Sequence, residues 1–266
     1  MKIQQIRNAT LKINFAGNTI LIDPWLIGGQ KFGRFVDIPG KPFRTPDPVR
    51  EQIPMPIFDL PLPVEEILRD VDFYVMTHIH PDHIDMAADG TIGAPLDKNI
   101  PIFAQNSDDA DVLKRSGFTN VKILNETRGE NFCCNIKITK TPARHGTIAP
   151  LGEACGVVFE SPVEKTLYIV GDSVWFGGVQ SALEKFHPDV VVLNACAAEL
   201  IGNGRLIMND EDVDCVRKIL PTAQIIISHM DNVAHATITR HEMRGRLAAR
   251  GVEKYFMPDD GETLEF

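Results

Sequence analysis

Apolar and polar residues alternate along the start of the chain, where Ile3, Ile6, Leu11, Ile13 and Phe15 mark one face. The alternation stops at Ala16-Gly17-Asn18, a turn signal, and a second extended run at 19–22 closes on Asp23-Pro24 with Trp25 beyond. A β-hairpin over residues 2–23 is therefore predicted. Further on, a short helix near 63–68 feeds a strand at 71–77, and another strand is expected at 102–104. Asn106 or Ser107 can cap a helix to Arg115, stopped by Gly117 and followed by a strand at 121–124. Residues 132–139 alternate through Phe132, Cys134, Ile136 and Ile138, which predicts a strand with one buried face. In the second half, strands are expected at 154–159, 166–170 and 224–228, with a helix at 178–186. Residues 190–193 are continuously apolar, the mark of a strand buried on both faces. Asn209 caps a helix to Leu220 whose first turn, Asp210-Glu211-Asp212, suits the helix dipole. Thr239-Arg240-His241-Glu242 forms a capping box for the last helix, ended by Gly251.

Residues 28–63 break the pattern. Eight of the eighteen prolines lie between Pro39 and Pro63, with Gly28, Gly29, Gly33 and Gly40 before or among them. Such a stretch carries neither a regular helix nor a central strand. Because a strand of the same core follows, an ordered surface excursion that shapes a binding site is expected within a single domain spanning 1–266.

Composition narrows the function. The chain is 44% hydrophobic and 24% charged, ordinary for a globular protein with a sizeable core. A net charge of −9 without a basic tract argues against a nucleic-acid or anionic-membrane binder. Five cysteines without repeated spacing suggest a reducing compartment rather than a disulfide framework. Neither a signal peptide nor a spanning segment is visible, so a cytoplasmic protein is expected, free of membrane, with homo-oligomerisation left open.

The chemistry concentrates at the end of the 71–77 strand, in Thr77-His78-Ile79-His80-Pro81-Asp82-His83. Residues i and i+2 on an extended segment share a face, so His78 and His80 can reach one metal ion. Pro81 then turns the chain, and Asp82 and His83 can point at a second position nearby. Other predicted strands also end in ligand-type residues: His145 after 132–139, Asp172 after 166–170 and His229 after 224–228. Five histidines and two aspartates suffice for two ions sharing a carboxylate. Such nitrogen and oxygen donors suit zinc, manganese, iron or nickel better than calcium or magnesium. His235, six residues after His229, can donate a proton to a leaving group or hold a substrate oxyanion; a capping or solvated histidine is the alternative. Trp175 and Phe176, just past Asp172, either wall the pocket or pack. The segment 194–208 leaves the sheet on the same side, with no residue assignable to a role.

These residues carry a resemblance to the metallo-β-lactamase fold superfamily. It rests on T-H-I-H-P-D-H at 77–83, A-R-H-G at 143–146, I-V-G-D-S at 169–173 and I-S-H-M-D at 227–231. Leu21-Ile22-Asp23-Pro24 and the closing Pro258-Asp259-Asp260-Gly261-Glu262 extend it almost end to end. Within the superfamily the chain looks most like the branch related to ascorbate-6-phosphate lactonase. The resemblance implies an α/β fold, a four-layer αββα sandwich with the site at one edge. It also implies that His78, His80 and His145 bind one ion, that Asp82, His83 and His229 bind the other, and that Asp172 bridges them. Two divalent ions are implied, zinc or manganese first, with iron or nickel as alternatives.

The implied activity is a binuclear metal-dependent hydrolase using a metal-bridging hydroxide. Its substrate would be a small anionic lactone, ester, amide or phosphodiester. Ions about 3.5–4 Å apart acidify a shared water to a pKa near ~7. Asp82 has a second role in orienting that hydroxide. An iron-dependent oxidoreductase of the same fold, resembling sulfur dioxygenases, is the alternative; a non-catalytic binding protein is a third.

Overall fold

Period-two patterning resolves into two β-sheets packed face to face, each covered by helices on its outer side. The structure is a computed structural model that describes residues 1–126, 130–132 and 135–266. The strands of the first half are β1 (Lys2–Arg7), β2 (Thr10–Phe15), β3 (Asn18–Ile22), β4 (Phe73–Val75), β5 (Ile102–Ala104) and β6 (Val121–Ile123). Then come β7 (Glu130–Phe132), β8 (Ile136–Pro142), β9 (Cys155–Ser161), β10 (Glu164–Ile169) and β11 (Val190–Asn194). The last are β12 (Glu199–Leu200), β13 (Gly204–Arg205), β14 (Gln224–Ser228) and β15 (Thr263–Glu265). The helices are α1 (Val64–Leu68), α2 (Ser107–Arg115), α3 (Gly177–Phe186), α4 (Asp210–Ile219) and α5 (Arg240–Ala249).

The first sheet has the order β15-β1-β2-β3-β4-β5-β6 and the second β14-β11-β10-β9-β8-β7, with β12 and β13 a separate hairpin. Side-chain alternation sorts the core into layers. In β11, Val190 and Val192 face the first sheet, among Ile13, Phe15, Phe73 and Val75. Val191 and Leu193 face outward onto α3, α4 and α5 through Leu183, Val213 and Leu247. On the other side, Leu21, Tyr74 and Ile102 pack outward against Ile67 of α1 and Leu113 of α2. This is the αββα sandwich. The continuous apolar run at 190–193 follows from burial on both faces.

The expected caps form. Asn106 accepts from Asp109 N at 2.8 Å, Asn209 accepts from Glu211 N and Asp212 N, and Thr239 with Glu242 closes a capping box. Three expectations need correction. The opening hairpin is a three-stranded antiparallel meander, because the chain turns at Asn8, whose φ is 52°. Asparagine tolerates this left-handed conformation, and the shift of apolar positions from Ile6 to Leu11 is the trace of the turn in the sequence. The strand expected over 132–139 is divided between β7 and β8, which pair antiparallel as a hairpin. Cys133 and Cys134 lie outside the described residues. Finally, β12, β13 and β15 hold only two or three residues each, too few to leave a periodic signal.

What matters for the site is strand direction. Strand β4 runs parallel to β3 and β5, β10 runs parallel to β11 and on to β14, and β8 shares their sense because both neighbours of β9 oppose it. The ends of β4, β8, β10 and β14 carry His78 onward, His145, Asp172 and His229.

The 28–63 excursion contains two 3₁₀ turns, Phe35–Asp37 and Arg50–Gln52. A single guanidinium holds both of its feet. Fully buried Arg7 donates to Trp25 O at 2.8 Å, Ile27 O at 2.7 Å and Phe58 O at 3.3 Å, with its guanidinium 4.8 Å from the Trp25 ring. Asp85 adds a second hold by accepting from Leu26 N and Ile27 N. No helix among the described residues is long and apolar enough to cross a membrane.

Candidate metal centre and active site

The loop after β4 is fixed before it reaches the first histidine. Asp23, at the end of β3, accepts from Thr77 N at 2.8 Å and Thr77 Oγ1 at 2.6 Å. After Pro81, His83 N and Ile84 N both donate to His80 O, a tight turn that returns Asp82 and His83 toward His78. Asp172 follows Gly171, where φ is 68° and a Cβ would meet Cys155 O at 2.4 Å. Only glycine allows β10 to turn there. His229 itself is left-handed, with φ 61°, and its amide donates to Asn8 O at 3.1 Å. That conformation costs a side-chain-bearing residue about 1–2 kcal/mol, and it swings the ring back over the sheet edge.

All seven sequence-predicted ligands meet. Donor atoms of His78, His80 and His145 lie within 4.8 Å of one another, and so do those of Asp82, His83 and His229. Asp172 stands between the two groups. Its Oδ2 is 3.9 Å from His78 Nε2, 3.3 Å from His83 Nε2, 3.8 Å from His145 Nε2 and 3.8 Å from His229 Nε2. His78 Nε2 and His80 Nδ1 are 3.0 Å apart, and His229 Nε2 is 3.4 Å from Asp82 Oδ2. Two donors at 2.0–2.1 Å from one tetrahedral ion stand about 3.4 Å apart. Among the described residues, buried His83 Nε2 has no hydrogen-bond partner, although Asp172 Oδ2 lies 3.3 Å away across the cluster. Converging imidazole nitrogens beside two carboxylates are a donor set that suits divalent transition metals.

Outward nitrogens are held in turn, which fixes ring orientation. His78 Nδ1 lies 3.1 Å from Thr77 Oγ1, His83 Nδ1 lies 2.9 Å from Asp23 Oδ2, and His145 Nδ1 lies 3.1 Å from Leu206 O. His229 Nδ1 lies 3.7 Å from Cys196 Sγ. Asn8 Nδ2 donates to Asp82 O at 3.0 Å and lies 3.2 Å from His229 Nε2.

Above the cluster lies a cavity of about 60 Å³. His80, Asp82, His145, Asp172 and His235 form its polar floor. Trp25, Phe32, Phe35, Phe43 and Met55, from the excursion and its foot, wall it together with Leu151, Leu200 and Leu206. His235 Nε2 is 3.9 Å from Asp82 Oδ2, its ring is 5.5 Å from the Phe35 ring, and its buried Nδ1 has no hydrogen-bond partner among the described residues. His235 caps no helix among the described residues, and its side chain, 11% exposed, lines the cavity. Among the described residues, the lining contains neither Lys nor Arg. Trp175 and Phe176 pack against the helix-side core instead of lining the cavity.

The beta-lactamase superfamily domain matches residues 18–231, most of the chain and all seven clustered residues. The chain belongs to this superfamily. Among its relatives, the UPF0173 protein YddR of Bacillus subtilis is 35% identical over 271 residues, covering all of both chains. A UPF0173 metal-dependent hydrolase of Xanthobacter autotrophicus is 24% identical, covering 73% of this chain and 70% of its own. Among solved structures, an isothiocyanate hydrolase from Delia radicum gut bacteria aligns with a TM-score of 0.86 at 36% identity. It covers 100% of this chain and 99% of its own.

Charge in this superfamily member is arranged so that protons balance the carboxylates. Burial alone would raise the Asp172 carboxyl, but His83 and His229 outweigh it and hold it well below the usual range. Burial likewise opposes protonation of His83, yet Asp172 and Asp23 lift it to about 10. His80 is pushed down to about 4 by burial and by His145, and His235 to about 4 by burial, against the pull of Asp82. The sign of the pH effect follows. A histidine whose folded pKa is depressed binds more protons unfolded, so stability falls as pH drops. For His80 and His235 that window runs from the ordinary 6.5 down to about 4. Denaturant titrations of the metal-free protein at stepped pH are expected to show this loss, and His235→Asn is expected to flatten it. An equally steep loss in the variant would exclude His235 as a buried neutral group.

Sequence reading missed three residues that act on the cluster: Asp23, Asn8 and Asn194. Each is polar, buried and next to a strand end, a position where asparagine and aspartate read first as turn formers.

Proposed function

We propose that this chain hydrolyses small, uncharged electrophiles with an apolar substituent, isothiocyanates foremost, at a two-ion centre. The chain is a metal-dependent hydrolase of the beta-lactamase superfamily. The observation that carries the narrower reading is the cavity: a polar floor of ligand-type residues under walls that are aromatic and aliphatic, without Lys or Arg. An apolar wall favours an uncharged substituent, since an unpaired charge is costly to desolvate there. The isothiocyanate hydrolase of similar fold and 36% identity supports the same class.

His78, His80 and His145 would hold one ion and Asp82, His83 and His229 the other, with Asp172 between them. Divalent ions there would supply Lewis acidity and a water acidified toward neutral pH. The chain's own groups do the rest. The net reaction is R–N=C=S + H₂O → R–NH₂ + O=C=S. Water oxygen bonds to the central carbon as the C=N π pair moves to nitrogen, and Asp82, beside His229 on the cavity floor, takes the first water proton and passes it to that nitrogen. His235 Nε2, which faces the floor, takes the proton left on oxygen and returns it to nitrogen, and the C–N bond breaks with its electron pair on nitrogen, giving R–NH₂ and O=C=S. Phe35 and Phe43, with ring centroids 5.3 Å apart, exclude water above the floor and hold the substituent.

Protein loaded with zinc or with manganese should release amine from an alkyl isothiocyanate, and chelated protein should not. A parallel panel of lactones and phosphodiesters, with oxygen uptake recorded for the iron form, gives the competing outcomes. Turnover of phosphodiesters alone, or oxygen consumption without hydrolysis, would replace this reading.

A further inference from the structure

Resting on the two-ion reading, we propose that Asn194 is a positioning residue that makes Asp172 a single-oxygen bridge. Asn194 closes β11 (Val190–Asn194), the strand between the one that leads to Asp172 and the one that leads to His229. Its side chain is buried, and Nδ2 donates to Asp172 Oδ1 at 2.7 Å. The backbone beneath it is pinned on both sides. Asn194 O accepts from Met208 N at 3.1 Å, and Ala195 N donates to Ser228 O at 3.1 Å. Asn194 is thus a rigid platform, and the hydrogen bond commits one carboxylate oxygen.

The consequence lies in what is left. Oδ2 is the atom that stands 3.3–3.9 Å from the inward nitrogens of His78, His83, His145 and His229. A carboxylate with both oxygens free can rotate about its Cβ–Cγ bond and chelate one ion through both. With Oδ1 engaged by an amide, rotation breaks a buried hydrogen bond, and Oδ2 alone remains to be shared. Asn194 therefore selects sharing over chelation. An isosteric aspartate cannot donate at that position, and it would place a second negative charge against Oδ1.

The test compares the metal-free wild type with Asn194→Ala and Asn194→Asp. Each is titrated with zinc in equilibrium dialysis and with cobalt(II) while the d–d absorption is followed. Circular dichroism and thermal unfolding of the metal-free forms report folding; Asn194→Asp, which keeps the volume, carries the test where Asn194→Ala is unstable. The wild type is expected to take up two ions. Both variants are expected to bind the second ion about 10–100-fold more weakly and to show an altered cobalt spectrum. Two ions bound by the variants with wild-type affinities and an unchanged spectrum would overturn the role of Asn194 alone. A wild type that holds fewer than two ions would overturn the two-ion reading, and this inference with it.

Discussion

Asp172→Ala is expected to lower hydrolysis by about 10³-fold or more, the scale seen when a group stabilising transition-state charge is removed. The same change is expected to reduce bound metal from two ions to one or none. Four imidazoles converge on Oδ2 of this residue, the nearest of them His83 at 3.3 Å. On the two-ion reading proposed above, its removal would leave the His78–His80–His145 and Asp82–His83–His229 groups without the anion that offsets two adjacent cations. In water, two doubly charged ions about 4 Å apart already repel by about 4 kcal/mol, and by several times more in a less polar pocket. Elemental analysis of the purified variant and its rate on the isothiocyanate found to be a substrate check both halves. Wild-type metal content together with wild-type turnover would sink the assignment of Asp172 as the shared ligand.

Arg7→Met is expected to destabilise the fold by about 3–5 kcal/mol and to weaken substrate binding. The change strips three backbone carbonyls of their donor, at Trp25, Ile27 and Phe58. The Trp25 carbonyl is buried and the other two partly so; a fully buried acceptor left unmatched costs about 1–3 kcal/mol and a partly buried one less. Methionine restores much of the lost volume, so the loss reflects the hydrogen bonds more than a void. Burial lowers the guanidinium pKa to about 10, but it stays charged at neutral pH. Because the same guanidinium holds both feet of the excursion, the aromatic walls should lose their fixed position and KM should rise more than kcat falls. Urea titration and steady-state kinetics decide the matter. A variant with an unchanged midpoint and unchanged KM would show that the excursion is held by its other contacts.

Much of the candidate site was legible in the sequence, and the reason is physical. Short continuous apolar runs end at or just before His78, Asp172 and His229, and a strand end is where a rigid sheet hands a side chain to a site. The capped helices α2, α4 and α5 were equally readable, because the chemistry of a cap is local. What escaped depends on contacts between distant parts of the chain. Asp23 reads as a turn residue until Thr77 and His83, more than fifty positions on, are seen to use its carboxylate. Asn194 reads as the end of an apolar strand until Asp172 turns toward it. The walls of the cavity were hidden for the same reason. A proline-rich stretch has no period of its own, and its course is set by Arg7 and Asp85 from outside it. His235 needed the excursion to be in place as well, since Phe35 is the neighbour that keeps its ring over the floor.

The division of the ligands between the sheets has a mechanical meaning. His78, His80, Asp82 and His83 leave the first sheet, whereas His145, Asp172 and His229 leave the second. Neither half of the molecule can assemble the constellation by itself. Ions seated there would act as a rivet across the seam of the sandwich, and ligation energy spent on them would be spent on keeping the two sheets docked. Reactivity is thereby tied to completed folding: a partly formed molecule exposes histidines but no bridged pair. The chain becomes chemically active only once its two halves have closed on each other.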